Sequence, residues 1–128
     1  MPAQGRPKTP VSLWWLAVAA QMAIIFRFSA LPGGQVPGRF GSIGHFGGYA
    51  FLGVLCALAL GDAGPRTRVL AIAVLICSAY GITDEFHQSF VAGRSPDVFD
   101  WGVDTLGAAV GAILATLASR RAARRRPF

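Results

Sequence analysis

Four apolar stretches dominate the chain, at residues 11–26, 43–60, 69–82 and 98–118. Each is near or somewhat below the ~20 residues that cross a hydrocarbon core of ~30 Å as a helix. The third is the shortest, and its helix is expected to continue through residues 83–88. All eight prolines lie outside these stretches. A proline inside a helix removes a backbone donor and clashes with the preceding turn, so these residues mark the ends. Charged side chains make up 14% of the residues and mean hydropathy is +0.49. A soluble domain of this size carries about 25% charged residues. Such a chain is covered either by lipid or by an obligate, very apolar interface, and the four spans favour lipid. The expected fold class is therefore all-α, a polytopic membrane protein built as a four-transmembrane-helix bundle. Its 128 residues form one domain, with helices at about 11–30, 43–60, 68–88 and 97–118 and a basic tail at 119–128.

Basic residues predict the orientation. Arg6 and Lys8 precede the first span, Arg66 and Arg68 separate the second from the third, and Arg120, Arg121, Arg124, Arg125 and Arg126 follow the fourth. Nine of the twelve basic residues thus fall on one side, and Arg27, Arg39 and Arg94 fall on the other. The positive-inside tendency predicts both termini of this multi-pass protein in the cytoplasm. Phe28 and Arg27 stand where a signal-peptide cleavage site needs small residues, so the first span is read as a retained helix. The arginine tail reads as a topology signal touching anionic lipid, not as a nucleic-acid site. Cys56 and Cys77 lie inside apolar spans without metal-ligand spacing, so no disulfide framework and no zinc site is assigned. The glycine-rich loop at 31–41 follows no strand and is not a phosphate cradle.

The acidic residues are distributed unevenly. Five of the six, Asp84, Glu85, Asp97, Asp100 and Asp104, fall in YGITDEFHQSFVAGRSPDVFDWGVDTLG at residues 80–107, and the sixth is Asp62. Residues three, four and seven apart share a helix face. Asp97, Asp100 and Asp104 follow that spacing, and Gly107 and Gly111 continue the stripe as a small-xxx-small packing motif. On the third helix Tyr80, Asp84, His87 and Gln88 cluster on one side with Glu85 at the flank. On the second, His45, Gly48, Tyr49 and Leu52 form a stripe, with Gly48 as a packing position. All three sets fall near one end of the bundle, predicted to face outward. Asp97 and Glu85 also fit ordinary charges at a membrane surface. Asp100 and Asp104 fit that description poorly, because a carboxylate inside an apolar span costs several kcal/mol unless it is paired or faces a wet cavity, so Asp84, Asp100 and Asp104 are read as a functional site. Arg94, on the turn before Pro96, is the natural counter-ion, with holding the helix hairpin in register as an equal alternative. His45 and His87 are structural hydrogen-bonders or, together beside carboxylates, proton carriers or metal ligands. Without a tight ligand spacing, no metal and no cofactor is assigned.

These residues resemble a known family. FSALP at residues 28–32, HFGGYAFLG at 45–53, the run at 80–107 and Gly111 are similar to the VanZ-like family of small bacterial membrane proteins. The resemblance spans residues 28–111. It implies an integral membrane protein of several helices, whose founding member is associated with resistance to the glycopeptide teicoplanin. It carries the family's polar positions to Ser29, His45, Tyr49, Asp84, Glu85, Gln88, Arg94, Asp100 and Asp104. One departure is that many members place a Lys three residues before the His, where this chain has Ser42, with Gly41 before it. Arg39 is the residue available to replace it.

Three functions are open at this level. The first is binding or handling of an envelope lipid or lipid-linked cell-wall intermediate, with Arg94 and Arg39 taking a phosphate and membrane lipids as partners. The second is a membrane enzyme acting on a lipid phosphate or diphosphate. It would use Asp84 or Glu85 as base and His45 or His87 as acid, or a divalent ion bridging Asp100 and Asp104. The third is a structural partner of a larger membrane complex. The sequence shows no nucleophile with an adjacent base, and it leaves the oligomeric state open.

Overall fold

The computed structural model describes residues 9–35, 38–61 and 63–125. Arg6, Lys8, Asp62 and Arg126, together with the side chain of Arg39, lie outside the described residues. Four α-helices form the molecule: α1 Val11–Ser29, α2 Gly38–Leu60, α3 Arg66–Gln88 and α4 Val98–Arg124. A short 3-10 turn, Gly33–Gln35, lies between α1 and α2. No strand occurs among the described residues. All four helices are long and apolar enough to cross a membrane. Their 19, 23, 23 and 27 residues correspond to about 28, 35, 35 and 40 Å at 1.5 Å per residue.

The ends differ from the expected bounds in instructive ways. α2 begins at Gly38, five residues before its apolar run. α4 continues to Arg124, six residues past its apolar run, because alanine and arginine sustain a helix once they leave the hydrocarbon. α3 does pass through Asp84 and Glu85 to Gln88. Pro10 and Pro65 stand immediately before α1 and α3, where a missing N–H costs nothing. The Asp97 carboxylate caps α4 by accepting from the Phe99 N–H at 2.8 Å.

Short connections make the helices run up and down in turn. α2 is central and packs on all three others, while α1 meets α2 and α3 but not α4. The α2–α4 crossing is the tightest. A Cβ on Gly111 would collide with the Ala50 carbonyl, one on Gly107 with the Phe46 carbonyl, and one on Gly53 with the Ala108 carbonyl. Backbones this close gain dispersion contacts that lipid cannot supply. Leu52, Cys56, Ala73, Cys77, Ala108 and Ala112 are fully buried between the helices. The sulfurs of Cys56 and Cys77 lie 3.8 Å apart across the α2–α3 contact. Outward, Phe51, Leu75, Ile82, Phe86, Leu106 and Leu114 are each more than half exposed. That apolar girdle suits contact with lipid acyl chains.

Two connections meet at one end of the bundle. The Gly33 N–H donates to the Ala92 carbonyl at 3.0 Å. Gly93 turns with φ +73, a left-handed conformation that side chains disfavour. Its carbonyl lies where a Gly33 Cβ would sit. The C-termini of α1 and α3 and the N-termini of α2 and α4 are thereby gathered at the same end, next to the polar residues.

Candidate functional site

The polar groups that the fold gathers come mainly from α2, α3 and α4. His45 sits near the start of α2, and its Nδ1–H donates to the Asp104 carboxylate at 2.7 Å. Asp104 is fully buried and comes from the face of α4 that Gly107 and Gly111 press against α2. One helical turn on from His45, the Tyr49 hydroxyl donates to Asp84 Oδ2 at 3.1 Å. The His45 and Tyr49 rings lie parallel, with centroids 6.4 Å apart. The Gln88 amide reaches His45 Nε2 in a long contact of 3.5 Å. Glu85 divides its carboxylate: Oε2 accepts from the Asp97 N–H at 2.8 Å and ties α3 to the start of α4. One ligand-capable atom from each of Glu85, His45 and Asp104 lies within 4.8 Å of the others.

Three carboxylate oxygens in this region are buried without a partner: Asp84 Oδ1, Glu85 Oε1 and Asp104 Oδ2. Buried acceptors usually find a donor, because leaving one unmade costs about 1–3 kcal/mol. Among the described residues His45–Asp104 is also the only ion pair. The region is therefore rich in negative charge and in unused acceptor capacity.

The structure therefore brings His45, Tyr49, Asp84, Glu85, Gln88 and Asp104 into one cluster. It places the other candidates elsewhere. Arg94 pairs with no carboxylate among the described residues, contrary to its expected role as counter-ion. Its Nε donates to the Leu31 carbonyl at 3.0 Å and its Nη2 reaches the Phe28 carbonyl at 3.5 Å. The physical reason is local: the α3–α4 turn lies over the C-terminus of α1, where the last carbonyls lack helical donors and attract a cation. His87 leaves the cluster as well. Its ring stacks on Phe26 of α1 at 4.1 Å, with Nδ1 buried and unpaired. Asp100 is half-buried one turn before Asp104 and makes no side-chain hydrogen bond among the described residues. The set that converges is His45, Glu85 and Asp104, not Asp100 with Asp104. Gly48 is not a tight crossing point. A Cβ there would meet Ile25 at an ordinary 3.6 Å, and the Gly48 carbonyl instead accepts from the Gln21 amide at 3.1 Å.

A cavity of about 310 Å³ opens between α1, α2 and the two loops. Its lining includes the apolar Ile24, Ile25, Phe28 and Leu31 and the polar Gln21, Ser29, His45, Tyr49, Asp84 and Arg94. Gln21 is the residue that sequence reasoning passed over. Its signal was legible, since a buried amide midway along an otherwise apolar span needs a partner. Two further ties were not expected. The Tyr80 hydroxyl donates to the Met22 carbonyl at 2.6 Å and binds α3 to α1. The Trp101 indole donates to the Ser78 carbonyl at 3.1 Å and binds α4 to α3.

No curated protein and no solved structure matches the chain. The family model described as VanZ/LLP1 matches residues 6–119, which include all four spans and every member of the polar cluster. A match of that extent, on a bundle whose apolar helices gather their histidine, tyrosine and carboxylates at one end, means that the chain belongs to the VanZ/LLP1 family.

Proposed function

We propose that the chain, as a protein of the bacterial cytoplasmic membrane, binds the headgroup of an amphiphilic envelope lipid or lipid-linked cell-wall intermediate. The observation that carries this reading is a cavity lined by both apolar and polar side chains. Its volume of about 310 Å³ is at the small end of ligand sites. It suits a headgroup with its first acyl carbons, and not a whole lipid. The unpartnered Asp84 Oδ1 is an acceptor for a hydroxyl or ammonium. A guanidinium has five N–H donors, and Arg94 uses two of its nitrogens on carbonyls, which leaves donors for a phosphate. The positive-inside tendency supports an outward-facing position for this end, where lipid-linked wall intermediates are used. Through the family, such binding bears on susceptibility to glycopeptides such as teicoplanin.

The test is mass spectrometry of lipids retained by the full-length protein after exhaustive exchange in mild detergent. One species retained near one per chain by wild type is expected to be lost from Gly48→Leu, whose side chain fills the cavity, and reduced in Asp84→Asn. The same lipid complement in wild type and both variants would overturn the reading.

A further inference from the structure

We propose that His45, Glu85 and Asp104 form a binding site for one first-row divalent cation, of the Mn²⁺ or Zn²⁺ class. Three observations converge on it.

The first is spacing. One ligand-capable atom from each residue lies within 4.8 Å of the others. Ligands on opposite sides of an ion are twice the bond length apart, about 4–5 Å for bonds of 2.0–2.5 Å. The three residues come from α2, α3 and α4, so one ion there would join the three helices.

The second is unused capacity. Asp104 is 0% and Glu85 8% exposed, and Asp104 Oδ2 and Glu85 Oε1 have no partner among the described residues. Both oxygens belong to residues whose other oxygen is already committed, to His45 and to the Asp97 N–H respectively. The side chains are thus held in place while their free oxygens remain available.

The third is charge. Two carboxylates and an imidazole inside a membrane bundle carry a burial cost of several kcal/mol per ion. A doubly charged cation neutralises Glu85 and Asp104 together and leaves His45 neutral, the form in which imidazole ligates. Among the described residues no Lys or Arg pairs with Glu85 or Asp104. One imidazole with two carboxylates favours an ion of intermediate hardness over Ca²⁺ or Mg²⁺, which prefer oxygen alone.

The site borders the cavity through His45, which belongs to both. It stands independently of what the cavity takes, because its test uses metal ions alone. Metal-stripped, tag-free full-length protein in detergent is titrated with Mn²⁺, Co²⁺ and Zn²⁺, with bound ion measured by equilibrium dialysis and the Co²⁺ complex by its visible absorption. About one ion per chain is expected. Glu85→Gln, whose amide oxygen still accepts the Asp97 N–H, and His45→Gln are each expected to weaken binding at least tenfold. Asp100→Asn and the Cys56→Ala, Cys77→Ala double variant are expected to bind like wild type. Helical circular dichroism accompanies each titration, and either ligand variant that keeps its helix content is sufficient. Failure of wild type to bind any of the three ions at one per chain, or undiminished binding by a folded ligand variant, would overturn the site.

Discussion

Asp104 shows how far a single residue can be read before coordinates exist. A carboxylate one turn inside an apolar span must have a partner, and the spacing of Asp100, Asp104, Gly107 and Gly111 pointed its face toward the helix interior. The partner proved to be His45 at 2.7 Å. Removing one member of a buried pair costs about 3–5 kcal/mol, because the other is left uncompensated. Asp104→Ala and His45→Ala are each expected to destabilise by that order. The double variant is expected to cost clearly less than the two together, as measured by unfolding in mixed micelles of rising SDS content. Strict additivity would mean that the pair is not coupled. Arg94 was less legible. Its charge suggested the carboxylates, but the sequence carries no sign that the last carbonyls of α1 pass beneath the turn. His87 was misplaced for a similar reason. A helical face can be computed from the sequence, but the neighbour that covers it, here Phe26 of α1, is set by tertiary packing.

At the scale of the helices, the apolar runs located all four elements and the polar end of α3 was expected, while the early start of α2 and the late close of α4 escaped. Hydropathy reports where lipid begins, whereas a helix stops where its backbone bonds or caps stop, as at Asp97 and Arg124. Glycine spacing on α4 was also informative, since Gly107 and Gly111 do sit against α2 carbonyls. On α2 the same logic favoured Gly48, yet Gly53 makes the close approach. Many glycines crowd that helix and spacing alone does not rank them. Gly111→Val is expected to force α2 and α4 apart and to lower stability by about 1–3 kcal/mol or more. Gly102, with nothing within 4 Å of its Cβ position, is expected to accept alanine with no loss or a gain of up to about 1 kcal/mol. Thermal unfolding in detergent compares the two, and equal destabilisation would show that the α2–α4 contact is not the tight one.

For the molecule as a whole, sequence reasoning supplied the bundle and the end at which polar groups collect, and the fold supplied their pairing. Its expected sidedness rests on the nine basic residues that precede the first span, join the second to the third and follow the fourth in sequence. In a Cys56→Ala, Cys77→Ala background, a cysteine at Gln35 is expected to react with a membrane-impermeant maleimide in intact cells. One at Arg125 is expected to react only after lysis. The reverse pattern would place the cluster on the inner side.

The bond from Gly33 to Ala92 closes a ring. It fastens the first hairpin to the second at the very place where the two would otherwise part. At the opposite end the described residues show no backbone hydrogen bond between the two hairpins. Loosening by heat or detergent is therefore expected to start at the basic end and to reach the histidine last.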